Sequence, residues 1–230
     1  MKSLDVLYED NHIIAVNKPA GVLVQGDKTG DEPLSEKVKA YIKKKYKKPG
    51  DVYLGIPHRI DRPVSGVVVF ARTSKALTRL NKMFQAKDKE IQKIYWAIVE
   101  NTPREDEEVL QNYLRKNPNQ NKSYVCATAK DGAKLSTLEY RLLAHSQKYF
   151  LLEVKLHTGR HHQIRCQLAA IGNPIRGDLK YGAKRSIEGG GIGLHARVLR
   201  FIHPVKKEPI EIVAPVPKEN IWQDLQQIVG

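Results

Sequence analysis

The stretch "IPHRIDRPVSGVVVF", residues 56–70, decides how this chain is read. Its second half is a continuous β-branched run, the pattern of a buried strand rather than one alternating between core and water. Its first half sets one carboxylate, Asp61, between Arg59 and Arg62. Pro63, Val64 and a Ser65-Gly66 turn then connect it to the strand. A solvated surface aspartate needs no such setting. A carboxylate beside a fixed guanidinium is held as an anion, which suits a nucleophile or an electrostatic stabiliser and is wrong for a general acid. The same spacing also fits an ion pair that only stabilises the fold.

The bulk of the chain indicates what such an anion would meet. Its 230 residues, enough for one sizeable domain or two small ones, carry 39 Lys and Arg against 25 Asp and Glu, a formal net charge of +14. The sequence pI is near 9.7. A balance this basic points to a polyanionic partner, nucleic acid first, with attachment to an acidic membrane surface as the competing reading. No apolar run reaches the roughly 18 residues that span a bilayer, and "MKSLDVLYEDNH" lacks the apolar segment of a signal peptide. Cys126 and Cys166 are too few for a disulfide framework or a CxxC zinc site, and read as small core hydrophobes or bystanders in a reducing cytoplasm.

Along the chain, "HIIAVNKPAGVLV" (12–24) is two β-prone runs split by a Pro-Ala-Gly turn, which predicts a hairpin or tight strand connection. "PLSEKVKAYIKKKYKK" (33–48) has apolar or aromatic residues at 34, 38, 41, 42 and 46, a helical stripe with lysines on the other face. "TSKALTRLNKMFQAKDKE" (73–90) predicts a helix capped by Thr73 or Ser74. "KIYWAIVE" and "YFLLEVKL" read as strands, and "RFIHPVKKEPIEIVAPVP" as two more joined by a Lys-Lys-Glu-Pro turn. "TGRHHQIRCQLAAIGNP" reads as a helix capped by Thr158, with Ile164, Leu168 and Ile171 on its apolar face and Gly172 and Pro174 stopping it. Strands and helices are interspersed without strict βαβ alternation. The predicted class is a mixed, mainly antiparallel α+β fold. "EGGGIG" (188–193) lacks the Lys-Ser/Thr of a phosphate loop and reads as a flexible loop.

Two further segments can carry chemistry. His157, His161 and His162 lack an acidic third ligand, and His157 precedes the expected cap, so no metal site is read here. Arg160 and the first-turn N–H groups would instead form an anion site, and Arg165, one turn further in, could pair with a carboxylate. Tyr95 lies on the strand face opposite Ile94 and Trp96, where a core or cross-strand aromatic is the plainer reading.

Taken together and in order, "VLYEDNHIIAVNKPAGVLV", "HRIDRPVSGVVVFAR", "KIYWAIV", "LHTGRHHQIRCQLAAIGNPIRGDLKYG" and "LHARVLRFIHP" resemble the RluA-type pseudouridine synthases, from about residue 6 to 217. The resemblance implies a single catalytic domain over 1–230 with the pseudouridine synthase fold, a central sheet and a basic cleft. It has no place for the N-terminal RNA-binding module that many relatives carry. It implies Asp61 as catalytic aspartate, Tyr95 as active-site tyrosine, and Arg165 as the arginine that salt-bridges the aspartate. Arg59 would enter the RNA stack as the target base flips out. Where the family reads Leu and Thr, this chain has Ile60 and Val64, and the second change removes a hydroxyl. The expected reaction is isomerisation of a uridine in structured rRNA or tRNA by a cytoplasmic monomer, with no cofactor, no metal and no membrane. Expected RNA contacts are Arg59, Arg62, Arg160, His161, His162 and Gln163, with Lys43, Lys44, Lys45 and Lys47 on the basic helix.

Two other readings compete with this one. A catalytically silent RNA-binding protein on this fold would replace Asp61, Tyr95 or Arg165; all three are present. A two-carboxylate glycosidase needs a second acid near Asp61, whereas the acidic residues cluster at 105–108 in an expected surface segment.

Overall fold

The computed structural model describes residues 4–86 and 91–230, which form two compact units. The last part of the helix expected over 73–90, residues 87–90, lies outside the described residues.

The first unit runs through Gln92 and takes back Ala196–Pro215. Its strands are β1 (Val6–Glu9), β2 (Ile13–Lys18), β3 (Ser65–Ala71), β9 (Leu194–Ile202, from Ala196 onward) and β10 (Pro209–Val213), neighbours in that order. β1 with β2, β2 with β3, and β9 with β10 are antiparallel. Every residue of β3 is buried, as its unbroken apolar run requires. Ile13, Ala15, Val67, Val69 and Ala71 pack with Ala76, Leu80, Leu199, Phe201 and Ile212, while Ile14, Val16, Val68 and Phe70 are fully buried on the alternate positions. The expected Ser65-Gly66 turn is the start of β3, and Gly66, paired with Lys18, has φ +113 and would drive a Cβ into the backbone of Ala196, so this strand position needs glycine.

Helix α1 (Leu34–Lys45) buries Leu34, Val38 and Ile42 at i, i+4, i+8 and ends in a Schellman turn, Lys48 N–H to Lys43 C=O at 3.1 Å and Lys47 N–H to Lys44 C=O at 3.4 Å. Helix α2 (Ser74–Gln85) is capped as expected, with Thr73 Oγ1 accepting from Ala76 N–H at 3.2 Å.

The expected strand over 22–24 does not form. Leu23 and Val24 give their carbonyls to the N–H groups of Leu34 and Ser35, feeding the start of α1, and Val22 gives its carbonyl to Lys18. The pull of those orphan donors outweighs the β-propensity of three apolar residues.

The second unit comprises Lys93–His195 and Val216–Gly230. Its antiparallel strands run in the order β4 (Ile91–Val99, from Lys93 onward), β8 (Phe150–Leu156), β7 (Lys134–His145), β5 (Glu107–Asn117), β6 (Lys122–Cys126). Helix α4 (Asn220–Val229), which the sequence reading passed over, buries Trp222 and Leu225 against Trp96, Ile98, Ala144 and Leu151.

Helix α3 spans only Gln163–Ala170. It therefore begins five residues after Thr158, and Thr158 is not its cap. Thr158 Oγ1 accepts from Thr137 N–H at 2.9 Å and donates to Gln163 Oε1 at 2.8 Å, so it braces the loop against β7. His162 precedes the helix in the left-handed region, φ 52.

Candidate active site

Asp61, Arg59 and Arg62 belong to the first unit; Tyr95 and residues 160–165 belong to the second.

Asp61 sits in a tight turn whose carbonyl accepts from Val64 N–H at 3.1 Å. The turn is anchored from below by a residue the sequence reading did not single out. Lys18, the last residue of β2, is fully buried, and its Nζ donates to the carbonyls of Pro19 (3.0 Å), Val22 (2.7 Å) and Arg62 (3.1 Å). Three carbonyls match the three N–H groups of an ammonium. Burial pulls the Lys18 pKa down to about 7; Asp61 raises it and Arg62 lowers it. The Arg62 carbonyl also takes Gly21 N–H at 2.8 Å, so the Pro19-Ala20-Gly21 turn and the Asp61 turn are clamped together through one buried cation.

The approach to Asp61 is fixed along β3. Gly55 and Ala71 exchange backbone hydrogen bonds at 2.8 and 2.9 Å, and His58 Nε2 accepts from Val69 N–H at 3.0 Å while its ring stacks on Phe84 with centroids 4.4 Å apart. Ile60, isosteric with leucine, is buried. Arg59 points outward, exposed, with no hydrogen bond or ion pair among the described residues. Arg62 is also exposed but holds Gly21 C=O at 3.0 Å and Asp31 at 2.7 Å.

In the second unit, Tyr95 is half-buried on β4 opposite Val154, on the strand face it shares with Lys93. Burial holds the Lys93 amine below its usual range. A Cβ on Gly159 would lie 3.4 Å from Lys93 Nζ.

Arg165, on α3, is buried, and the carboxylate it holds in this unit is Asp178, with Nε to Oδ2 at 2.6 Å and Nη2 to Oδ1 at 2.9 Å. This fork-to-fork geometry fixes the guanidinium plane, and its Cζ lies 5.2 Å from the centroid of Tyr181. Neither Asp178 nor Tyr181 stood out in the sequence, because the loop that returns them to α3 has no periodic signal.

The later helix start places Arg160 before the helix and not in its first turn. Arg160 lies in the preceding turn, its N–H donating to Gln163 Oε1 at 3.0 Å and its Nε to Leu135 C=O at 3.2 Å. Gln163 is buried, and its amide also donates to Thr137 C=O at 3.2 Å, so its side chain closes the loop against β7. His157 pairs with Glu139 at 3.1 Å, and no group of three His, Cys, Asp or Glu side chains suited to a metal ion occurs among the described residues.

Of the four lysines expected to face RNA, Lys43, Lys44 and Lys47 are exposed with no side-chain partner among the described residues. Lys45 differs: it donates to Glu9 at 2.6 Å and to Tyr41 Oη at 3.0 Å, tying α1 to β1. No described helix is long and apolar enough to cross a membrane.

A family model for RNA pseudouridylate synthases matches residues 12–170, which include Asp61, Tyr95 and Arg165. The chain belongs to this family. Among curated relatives, it is 34% identical over 217 residues to an uncharacterized RNA pseudouridine synthase of Synechocystis sp., covering 93% of this chain and 66% of that one. It is 34% identical over 229 residues to ribosomal large subunit pseudouridine synthase D of Xylella fastidiosa, covering 94% and 67%. The chain thus spans about two thirds of the length of these family members. The solved human RNA pseudouridylate synthase domain-containing proteins 4 and 1 share the fold, with TM-scores of 0.77 and 0.74 at 21% and 23% identity, over 98% and 95% of this chain and 92% and 86% of theirs.

Proposed function

We propose that this chain isomerises uridine to pseudouridine in structured RNA, with Asp61 as the nucleophile. The observation that carries the reading is the setting of Asp61: a carboxylate inside the stretch matched by the family, on a turn clamped by the buried Lys18. The reaction breaks the N1–C1′ bond, turns the base, joins C5 to C1′, gives the C5 proton to water and takes one proton back from water onto N1. It is redox-neutral and consumes no co-reactant. A carboxylate nucleophile can attack the sugar or the base, and fixed cationic groups stabilise the charge once RNA has displaced water. In this reading Arg165 supplies the second cation and Tyr95 stacks on the flipped ring. Extruding a base from a duplex costs a few kcal/mol, and the exposed Arg59 fills the vacated stack.

Relatives are named for the large ribosomal subunit, so large-subunit rRNA is the first substrate to test, with tRNA second. The test uses transcripts carrying [5-³H]uridine. Tritium released to water in step with pseudouridine found on digestion supports the reading. RNA bound and left unchanged across both classes contradicts it.

A further inference from the structure

Lys93 stands on β4 two residues before Tyr95 and on the same strand face, a step of about 7 Å. Its direct neighbour across the ladder is Leu156, with the fully buried Leu138 beyond it, and the fully buried Val154 lies opposite Tyr95. The stem of the lysine therefore has an apolar bed to lie on, as long cationic side chains favour. The head has no such provision. Lys93 is half-buried, and among the described residues its Nζ has no hydrogen bond, ion pair or ring contact.

The acids of the neighbouring strands are committed elsewhere. Register puts Glu139 and Lys155 on the opposite face with Ile94, and there Glu139 holds Lys155 at 2.6 Å and His157 at 3.1 Å. Glu153, also on that face, pairs with Arg141 at 3.1 Å. Glu108 shares the face of Tyr95 but lies three strands away, where it accepts from Tyr140 Oη at 3.1 Å. Asp178 is held by both arms of Arg165.

The loop after β8 passes close to the ammonium at the residue that has no side chain. A Cβ on Gly159 would lie 3.4 Å from Lys93 Nζ, and the φ of Gly159 is outside the left-handed region, so its conformation alone does not call for glycine. Thr158 and Arg160 on either side are pinned by Thr137 and Gln163. Burying an ammonium without a counterion is unfavourable, and here burial holds the amine below its usual range. A methionine would suit the apolar bed better. A lysine at this position gains its counterion only when a ligand brings one, and the backbone of RNA carries one anion per nucleotide.

We propose that Lys93 is a phosphate-binding residue, whose ammonium pairs with the RNA backbone where it passes Tyr95. One strand would then hold a base through Tyr95 and a phosphate through Lys93. The inference rests on RNA being the ligand of this chain, but not on any chemistry at Asp61.

Two measurements on the full chain test it. In titrations with a large-subunit rRNA transcript against salt, Lys93→Met should lower the log–log slope by about 0.7 to 0.9, the share of one phosphate. It should also weaken binding about tenfold, the worth of one charge-assisted hydrogen bond. Lys93→Arg, which keeps the charge, should keep the slope and stay within about threefold of wild type. Thermal melts of the free protein supply the second readout: with no native partner lost, Lys93→Met should melt no lower than wild type. Wild-type affinity and slope in Lys93→Met overturn the proposal, and so does an Arg variant as impaired as the Met variant. A Tm lowered by about 4 °C or more in Lys93→Met marks a structural lysine and overturns it too. Because both readouts concern binding and stability, a protein that passes them and converts no uridine refutes the isomerase reading and leaves this one standing.

Discussion

Replacing Lys18 with methionine probes the clamp beneath Asp61 in a way that can be worked from the structure. Methionine fills much of the same volume but leaves the carbonyls of Pro19 and Val22 without the Lys18 donor, while that of Arg62 keeps Gly21 N–H. Each buried carbonyl left unpaired costs about 1–3 kcal/mol, partly offset because a charge is no longer buried. A net loss of about 2–4 kcal/mol at pH 7 follows, near 4–16 °C in Tm for a chain of this size. The pH dependence gives the sharper figure. The Lys18 pKa falls from its ordinary value of 10.5 to about 7 on folding. Between those values the unfolded chain binds more protons than the folded one, so wild-type stability rises with pH through that window. One pKa unit corresponds to about 1.4 kcal/mol, so the gap between wild type and Lys18→Met should widen by about 2 kcal/mol from pH 7 to 9. Denaturant unfolding of both proteins at pH 6, 7, 8 and 9 measures it. A gap constant to within 0.5 kcal/mol, on the scale of the ±10–15% extrapolation error, refutes the lowering of the Lys18 pKa by burial.

Other outcomes follow from particular contacts. Arg165→Met should cost about 3–5 kcal/mol by stranding the buried Asp178, and adding Asp178→Asn should recover part of it; additive losses in this double-mutant cycle rule the pair out. Changing Lys43, Lys44 and Lys47 together to Gln should weaken binding to all RNAs alike and lower the salt slope by up to about 0.9 per lysine; an unaltered slope makes them an ordinary solvated face. Lys47, at φ 48 in the Schellman turn, carries the strain a glycine relieves, so Lys47→Gly should stabilise the chain by about 0.5–1 kcal/mol in thermal melts, and a loss of stability contradicts the assignment.

The parts of the fold legible in the sequence are those where one strong periodicity acts alone. The run 66–71 could only be a doubly covered strand, the 34/38/42 stripe could only bury one helix face, and Thr73 had a helix directly behind it. Elsewhere a stronger local demand overruled propensity. Thr158 has the chemistry of a cap, yet its hydroxyl is taken by Thr137 and Gln163, and the left-handed His162 resets the helix start. The stretch 22–24 looks like a strand but serves as acceptor for α1 and Lys18. Strands β5 to β7 lack clean alternation, since exposed residues such as Val109, Tyr124 and Leu135 interrupt the pattern. At the site, the charged residues were visible by type and order. Lys18, Asp178 and Tyr181 were not, because each gains its meaning from a partner brought close by loops.

The central claim is that Asp61 acts as an anionic nucleophile on RNA, and Asp61→Asn tests it most directly, since the amide matches the carboxylate in size and lacks its charge. Pseudouridine should be mapped in total RNA from cells without the gene, complemented with wild type or with the variant, beside the RNA affinity of each purified protein. The account predicts a site restored by wild type and absent with Asp61→Asn, at unchanged affinity. Modification by the variant within about tenfold of the wild-type rate contradicts it.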